Sequence, residues 1–321
     1  MKLQILIPHY KETEEEIRPL LDSIALQQNV DFSEIGVVIC HDGEEVEDLD
    51  LPVYAFMVEQ IRQEHKGVSA ARNACLDHAT ADYVMFCDAD DMFVNMCGLY
   101  IVFREMKNGF DSLVSVFQEE SRHPETKEVI YINHDMDSTF VHGKVHRRQY
   151  LLDNHIRWND SLTIHEDSYF NILCQNLSQN VKYCTVPFYL WKWRDESVCR
   201  HDPKYILKTY NNMLDSNDAL ISAFLSRGLM DKAMFYVVFM IFDAYYTMNK
   251  PDWINQENKE YRDKTEKRFA DYFRAHEDMW TAMPMPQKMQ ISSGVRGRSI
   301  NEGMQMEAIT VDGWLKHIME L

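Results

Sequence analysis

Between Glu64 and Asp91 the chain reads EHKGVSAARNACLDHATADYVMFCDADD, and no other stretch restricts the possible folds as much. Lys66-Gly67 predicts a tight turn, Val68 to Ala79 a helix, and Tyr83 to Cys87 a short buried strand that runs into Asp88-Ala89-Asp90-Asp91. A helix leading to an apolar strand with polar residues at its carboxyl end is the repeating unit of an α/β sheet, whose ligands bind beyond the strand tips. Three carboxylates crowded there repel one another and are tolerated only beside water or a cation. The cluster is therefore expected to hold a divalent metal and, through it, a phosphorylated ligand. A plain solvated turn is the competing reading, because Asp also favours turns and helix starts.

The residues before this block extend the same pattern. Leu3 to Ile7 predicts a first strand, stopped by Pro8, with the loop Pro8-His9-Tyr10-Lys11 at its tip. Thr13-Glu14-Glu15-Glu16 has the spacing of a capping box, and Ile17, Leu20, Leu21 and Ile24 then fall on one helical face. Ile35 to Cys40 is apolar throughout, as a parallel strand covered on both faces would be, and ends in His41-Asp42-Gly43. Strand, helix, strand and a carboxylate at the tip make a mononucleotide-binding half, in which Asp42 either faces the ligand or forms an ordinary Asp-Gly turn. Residues 53 to 58 are expected as a third strand, Gly98 to Met106 as an amphipathic helix, and Ser112 to Phe117 and Val129 to Ile132 as strands. The polar segment Glu119 to Lys127 is expected between them as an exposed turn or hairpin.

Arg72, on the first helix after the Lys66-Gly67 turn, either joins the helix amino terminus in facing a diphosphate or pairs with an acid of the Asp88 to Asp91 cluster. Further on, Glu166-Asp167 opens a helix, as helix-capping acids do in inert proteins too. Val181 to Val186 reads as a strand broken by Pro187, followed by aromatics, Arg194, Ser197, Arg200 and His201. Beyond Asp202 residues 205 to 228, 230 to 249 and 257 to 276 show helical periodicity only, and Gln287 to Asn301, with two glycines and two arginines, reads as a mobile loop.

Charge narrows the partners. With 51 acids against 33 bases, a net −18, the chain lacks the cationic surface that loose attachment to nucleic acid or anionic lipid requires. The seven cysteines have no Cys-x-x-Cys pair and predict buried thiols in a reducing, cytoplasmic setting. MKLQILIPHY is too short an apolar run for a signal peptide, and the longest apolar run, Ala233 to Phe242, is about half a membrane crossing, so no transmembrane segment is expected.

Taken together, Gly67, Ser69, Ala71, Arg72, Asn73 and then Asp88, Asp90 and Asp91 resemble the nucleotide-sugar-binding core of family 2 glycosyltransferases of the GT-A fold, over roughly residues 1 to 200. The resemblance implies an α/β GT-A domain with a mostly parallel central sheet over residues 1–202, followed by a helical domain over 203–321 through which the chain could self-associate. It implies metal-dependent transfer of a sugar, with inversion, from a nucleotide donor of the UDP-sugar type to a hydroxyl, with Mn²⁺ or Mg²⁺ held by Asp90, Asp88 and His201. His201 is a ligand on this view and otherwise a surface histidine.

Donor contacts are implied for Pro8, Tyr10, Asp42, Lys66, Gly67, Arg72, Asp88, Ala89, Asp90 and, from a Tyr-x-x-Arg-x-x-Ser-like segment, Arg194. Family members carry Asp-Asp-Gly where this chain has His41-Asp42-Gly43, so only Asp42 carries over. Asp167 is implied as the base that deprotonates the acceptor and Glu166 as its neighbour, although the two roles are exchangeable. The acceptor itself, whether glycan, lipid-linked sugar, polymer, protein or modified nucleic acid, is not legible in the residues. Two rival functions are nucleotidyl transfer, disfavoured because Pro8-His9-Tyr10-Lys11 lacks a glycine-rich phosphate loop, and a binding module without catalysis, disfavoured by the retained Glu166-Asp167.

Overall fold

The computed structural model describes residues 1–194, 205–301 and 310–321. The chain forms two compact units, Met1–Ser197 and Val198–Leu321. The first is an α/β unit built on one sheet. Its first strands, β1 (Leu3–His9), β2 (Ile35–Asp42), β3 (Met57–Gln63) and β4 (Tyr83–Phe86), lie in the order β3-β2-β1-β4 and are all parallel. Beyond β4 the sheet is mixed: β8 (Lys144–Arg147) runs antiparallel to β4 and to β6 (Ser112–Arg122), which pairs in parallel with β9 (Val181–Trp191). The two-residue β5 (Met92–Phe93) pairs with β9, and β7 (Val129–His134) closes a hairpin on β6.

The apolar runs explain the parallel half. Leu3, Ile5, Ile7, Val37, Ile39 and Met85 point to one face and pack with Ile17, Leu20, Leu21 and Ile24 of α1 (Glu14–Ala25) and with Leu99 and Val102 of α3 (Gly98–Met106). On the opposite face Cys75 of α2 (Val68–His78) reaches the carbonyls of Ile7 and Val38, and Phe86 meets the edges of Trp158 and Phe170. Covering both faces removes the alternation that a half-exposed strand would show. At the start of α1 the Glu16 carboxylate accepts from the Thr13 backbone N–H at 2.7 Å, the return bond of the expected capping box.

Several expected boundaries shift. The third strand is Met57–Gln63 rather than 53 to 58: Val53 is fully exposed, and the strand lies at the sheet edge with Glu59, Gln60 and Arg62 in it, so burial did not select an apolar run. β6 continues to Arg122, five residues past the expected end at Phe117, because its outer half is held by β7 in an exposed hairpin. Pro187 does not end β9; the register of β9 against β6 shifts between Ser115 and Phe117, where a missing N–H costs no ladder bond.

The second unit is helical: α6 (Tyr205–Leu225), α7 (Met230–Met248), the short α8 (Pro251–Ile254), α9 (Lys259–Ala282), α10 (Met285–Asn301) and α11 (Val311–Met319). Its core is aromatic, with Tyr210, Phe224, Trp253, Phe269 and Tyr272 buried, and the polar ends of these rings find partners: Tyr210 donates to Asp243 at 2.8 Å, Trp253 to Glu266 at 2.9 Å and Tyr272 to Asn217 at 2.7 Å. The mobile loop expected over Gln287 to Asn301 is instead α10, which tolerates Gly294 and Gly297 at roughly 1 kcal/mol each because Val295 is buried between them. Among the described residues no helix is long and apolar enough to cross a membrane.

Candidate active site

The site lies where the tips of β2 and β4 meet the first turns of α2 and of α5 (Glu166–Leu177). Asp42, at the end of β2, shapes its near wall. Its Oδ1 accepts from Gln63 Nε2 and the Lys66 backbone N–H, and its Oδ2 from the Gly67 N–H, each at 2.8 Å, with His65 Nδ1 at 2.9 Å from the same Oδ2. Burial pushes this carboxyl up, but these donors outweigh it and hold it below the usual range. Asp42 thereby ties the Lys66-Gly67 turn to the sheet. Gly67 sits at φ +91°, a backbone conformation that side chains avoid. Gly67→Ala is expected to lower the stability of the first unit by about 1–3 kcal/mol. Thermal unfolding measures this, and an unchanged midpoint would mean that the turn relaxes freely.

Arg72 is the centre of the arrangement. It is 3% exposed and its guanidinium carbon lies over the Trp158 ring, 4.3 Å from the centroid. Its Nη2 donates to Asp88 Oδ1 at 2.8 Å, and its Nη1 to Asp167 Oδ1 at 2.8 Å and Glu166 Oε1 at 3.2 Å. Asn73, the next residue, fixes Trp158 beneath it, accepting from the Trp158 N–H at 3.0 Å and donating to its carbonyl at 2.9 Å. One buried cation thus joins the Asp88 cluster to the Glu166-Asp167 pair. Burial raises the Asp88 carboxyl, but Arg72 reverses that and holds it low; burial lowers the guanidinium, and the three acids more than restore it.

Asp167 behaves differently. Burial pushes it up, Arg72 pulls it back, and Glu166 and Asp88 push it up again, leaving it at about 8. Its Oδ2 accepts from the Val141 backbone N–H at 3.2 Å. Val141 belongs to the loop before β8, which Asn171 of α5 ties down by donating to the carbonyls of Thr139 and Phe140.

The acids of the cluster divide their tasks. Asp90, 23% exposed at its side chain, meets Arg194 at 2.9 Å, and Arg194 reaches Glu16 of α1 at 3.2 Å. Asp91 is fully buried, accepting from Tyr189 Oη at 2.6 Å and the Lys192 N–H at 3.0 Å. Burial and the neighbouring Asp88 and Asp90 raise it well above a normal carboxyl. His142 stacks between Tyr189 and Trp191, its Nδ1 3.5 Å from Asp91 Oδ2 and without a hydrogen-bond partner. Burial pushes its imidazole down to about 3, so it is neutral, the form that binds metals.

Asp88, Asp91 and His142 each offer one ligand atom within 4.8 Å of the others. Two carboxylate oxygens and an imidazole suit Mn²⁺ better than Mg²⁺, which keeps to oxygen ligands, and the buried Nδ1 without a hydrogen-bond partner is the atom such a set would use. Of the expected ligands, Asp88 belongs to this group, Asp90 stands at Arg194, and His201 lies outside the described residues. His142 had no signal in the sequence, being one of two histidines between Phe140 and Arg148. Of the other expected donor residues, Tyr10 stacks on His65 with centroids 4.4 Å apart, Pro8 lies in β1 beside Cys40, Ala89 is buried between the acids, and Lys66 is exposed with Glu64 at 3.3 Å.

The model of the family described as glycosyl transferase family 2 matches residues 4–165, half of the chain. Among curated relatives, the glycosyltransferase GlyA of Streptococcus pneumoniae is 26% identical over 231 residues, 62% of this chain and 32% of the relative. The poly(ribitol-phosphate) beta-N-acetylglucosaminyltransferase TarS of Staphylococcus aureus is 26% identical over 190 residues, 54% of this chain and 32% of TarS. The chain spans about a third of the length of these relatives. Crystal structures of S. aureus TarS 1–349 share the fold: the complex with UDP superposes with a TM-score of 0.64 at 16% identity, covering 98% of this chain and 95% of that one. The complex with UDP-GlcNAc gives 0.65 at 16% identity, covering 100% and 91%.

Proposed function

We propose, because the chain belongs to glycosyl transferase family 2, that it moves a sugar from a UDP-sugar to a hydroxyl acceptor in a metal-dependent, inverting reaction carried out by the unit over residues 1–202, with the helical residues 203–321 as an appended module. The observation that carries this reading is the buried Arg72, whose one guanidinium bonds both Asp88 of the acidic cluster and Asp167. Departure of a nucleoside diphosphate develops negative charge on one side of the sugar, while the incoming hydroxyl must lose its proton on the other. Asp88 and Asp91 with His142, and Asp90 at the rim, are the residues that would hold a divalent cation, which when bound neutralises the leaving diphosphate. Asp167 takes the acceptor's proton, while Arg72 and the Val141 N–H keep its carboxyl in place and Glu166 shares the same guanidinium nitrogen. Tyr10, Lys66 and Arg194, in the segments that follow β1, β3 and β9, are assigned to the nucleotide and its phosphates.

Support for the donor comes from the TarS complexes with UDP and UDP-GlcNAc, and the acceptor named in the description of TarS makes a polyol-phosphate polymer the first one to try. We place the reaction in the cytoplasm because the described cysteines are unpaired thiols. The test is UDP release from a panel of UDP-sugars with Mn²⁺ and a set of hydroxyl acceptors. Release should vanish with a chelator and return with added Mn²⁺. Tight UDP binding without release from any donor would make the chain a binding module instead.

The raised carboxyl of Asp167 gives this reaction a pH signature. A general base works deprotonated, so at saturating donor the rate should climb as pH rises through about 8, the value at which Asp167 loses its proton. A rate that is flat from neutral to alkaline pH would remove Asp167 from that role.

A further inference from the structure

The tips of β1 and β2 carry a pair of histidines that the transfer reaction leaves unused. His9 and His41 face each other across the parallel ladder, both buried, with rings edge to face and the two Nδ1 atoms 2.9 Å apart. At that distance one nitrogen donates and the other accepts, so a proton lies between them. Each outer nitrogen meets an atom that only accepts. His41 Nε2 lies 2.9 Å from Gln60 Oε1, and Leu49 fixes the orientation of that amide by donating its N–H to the same Oε1 at 2.8 Å and accepting from Gln60 Nε2 at 3.1 Å. His9 Nε2 lies 2.6 Å from the Glu12 carbonyl oxygen. Three hydrogen bonds therefore require three ring protons, whereas two neutral imidazoles carry only two.

We propose that the His9–His41 pair holds one proton more than a neutral pair, with His9 as the imidazolium, and that this buried cation positions the loop carrying Tyr10 at the donor site. Burial disfavours charge on His41, which leaves it the neutral ring that donates through Nε2 and accepts through Nδ1. The charged groups facing the pair are few. Asp48 lies 3.7 Å from His41 Nε2 and is itself held by Arg62 of β3 at 2.6 Å. The Asp42 carboxylate is taken by the Lys66-Gly67 turn, Gln63 and His65, and the Glu12 carboxylate accepts from the Tyr10 N–H at 3.0 Å with Arg194 at 3.8 Å.

The added proton completes a chain from Gln60 on the edge strand, through both rings, to the loop after β1. Without it, and with His41 still donating to Gln60, either the two Nδ1 lone pairs face each other at 2.9 Å or a His9 lone pair faces the Glu12 carbonyl at 2.6 Å; in both cases the His9 ring would have to move, and the loop carrying Tyr10 off His65 with it. The resemblance to the family places an aspartate where this chain has His41. His41→Asp gives His9 a carboxylate partner that holds the imidazolium without strain from a second buried ring.

The proton count does not depend on what the protein binds; the positioning role rests on the sugar-transfer reading. Histidine-selective ¹⁵N labelling of the full chain near neutral pH counts directly protonated ring nitrogens, and three of the pair's four should carry hydrogen. Two would overturn the inference whatever the protein binds. Isothermal titration with UDP from about pH 6 to about pH 9 then reads the role: wild-type affinity should fall with rising pH by roughly fivefold more than that of His41→Asp, the loss of one hydrogen bond. Parallel pH profiles in the two proteins would overturn the positioning role. Three protons together with no UDP binding at any pH would uphold the count while sinking the transferase reading.

Discussion

Replacing Arg72 with methionine is expected to lower the stability of the first unit by about 3–5 kcal/mol, the usual cost of removing one partner from a buried ionic cluster. The size follows from what stays behind. Asp88, Glu166 and Asp167 all bond this one guanidinium, and methionine fills its stem but offers no donor. Two of the three then face each other as uncompensated charges unless they take up protons. For a unit of this size the loss amounts to a fall of about 10 °C in its melting temperature. Differential scanning calorimetry at neutral pH measures it, reading the transition of the first unit separately because the chain contains two compact units. The loss should shrink at acid pH, where protonated carboxyls no longer need the cation. Arg72→Lys should recover little, since an ammonium cannot reproduce the planar fork that reaches Asp88 from one nitrogen and Glu166 and Asp167 from the other. A methionine variant melting within a degree or two of wild type would mean that the acids are held by something other than Arg72.

The parts of this fold that were legible in the sequence are those where burial and chemistry act in the same direction. Leu3 to Ile7, Ile35 to Cys40 and Tyr83 to Cys87 stood out because strands covered on both faces are apolar almost throughout; Gln4 is the exception, its buried amide oxygen accepting from the Thr80 and Ala81 N–H groups. β8 left no such mark. Three of its four residues are polar, and Lys144 and His146 are buried all the same, Lys144 because the Phe140 carbonyl and Asp137 receive its ammonium and His146 because Ser112 lies 2.9 Å from its ring. A folded-back loop satisfied Lys144 and a side chain from β6 satisfied His146, and the alternation pattern along one segment shows neither.

The same distinction runs through the site. Asp88 to Asp91 and Glu166-Asp167 were conspicuous as clustered acids, although a solvated turn and a helix cap also accounted for them. Arg72 was open between a diphosphate and an ion pair, and the structure puts it in an ion pair with both acidic groups at once. His142 and Trp158 were invisible, because what distinguishes them is the company brought by folding: an aromatic stack for one, a guanidinium for the other.

Asp167→Asn is the variant that separates structure from chemistry. Asparagine keeps an oxygen for Arg72 and is neutral, as the wild-type carboxyl largely is below about pH 8. Neutral-pH stability and UDP affinity should therefore change little, while turnover falls by two to four orders of magnitude, about the contribution of a positioned general base. Linkage adds a second readout. A carboxyl whose folded value lies above its unfolded one takes up a proton on folding, so wild-type stability declines as pH rises from the ordinary carboxylate range through about 8. The asparagine variant lacks that group, and its stability should decline less over the same window. Loss of turnover with unchanged UDP binding, together with a flatter stability profile, would tie the raised carboxyl and the base to the same residue. If turnover survives in Asp167→Asn and is lost instead in Glu166→Gln, the proton goes to Glu166, and Asp167 serves only to hold Arg72 and the Val141 loop.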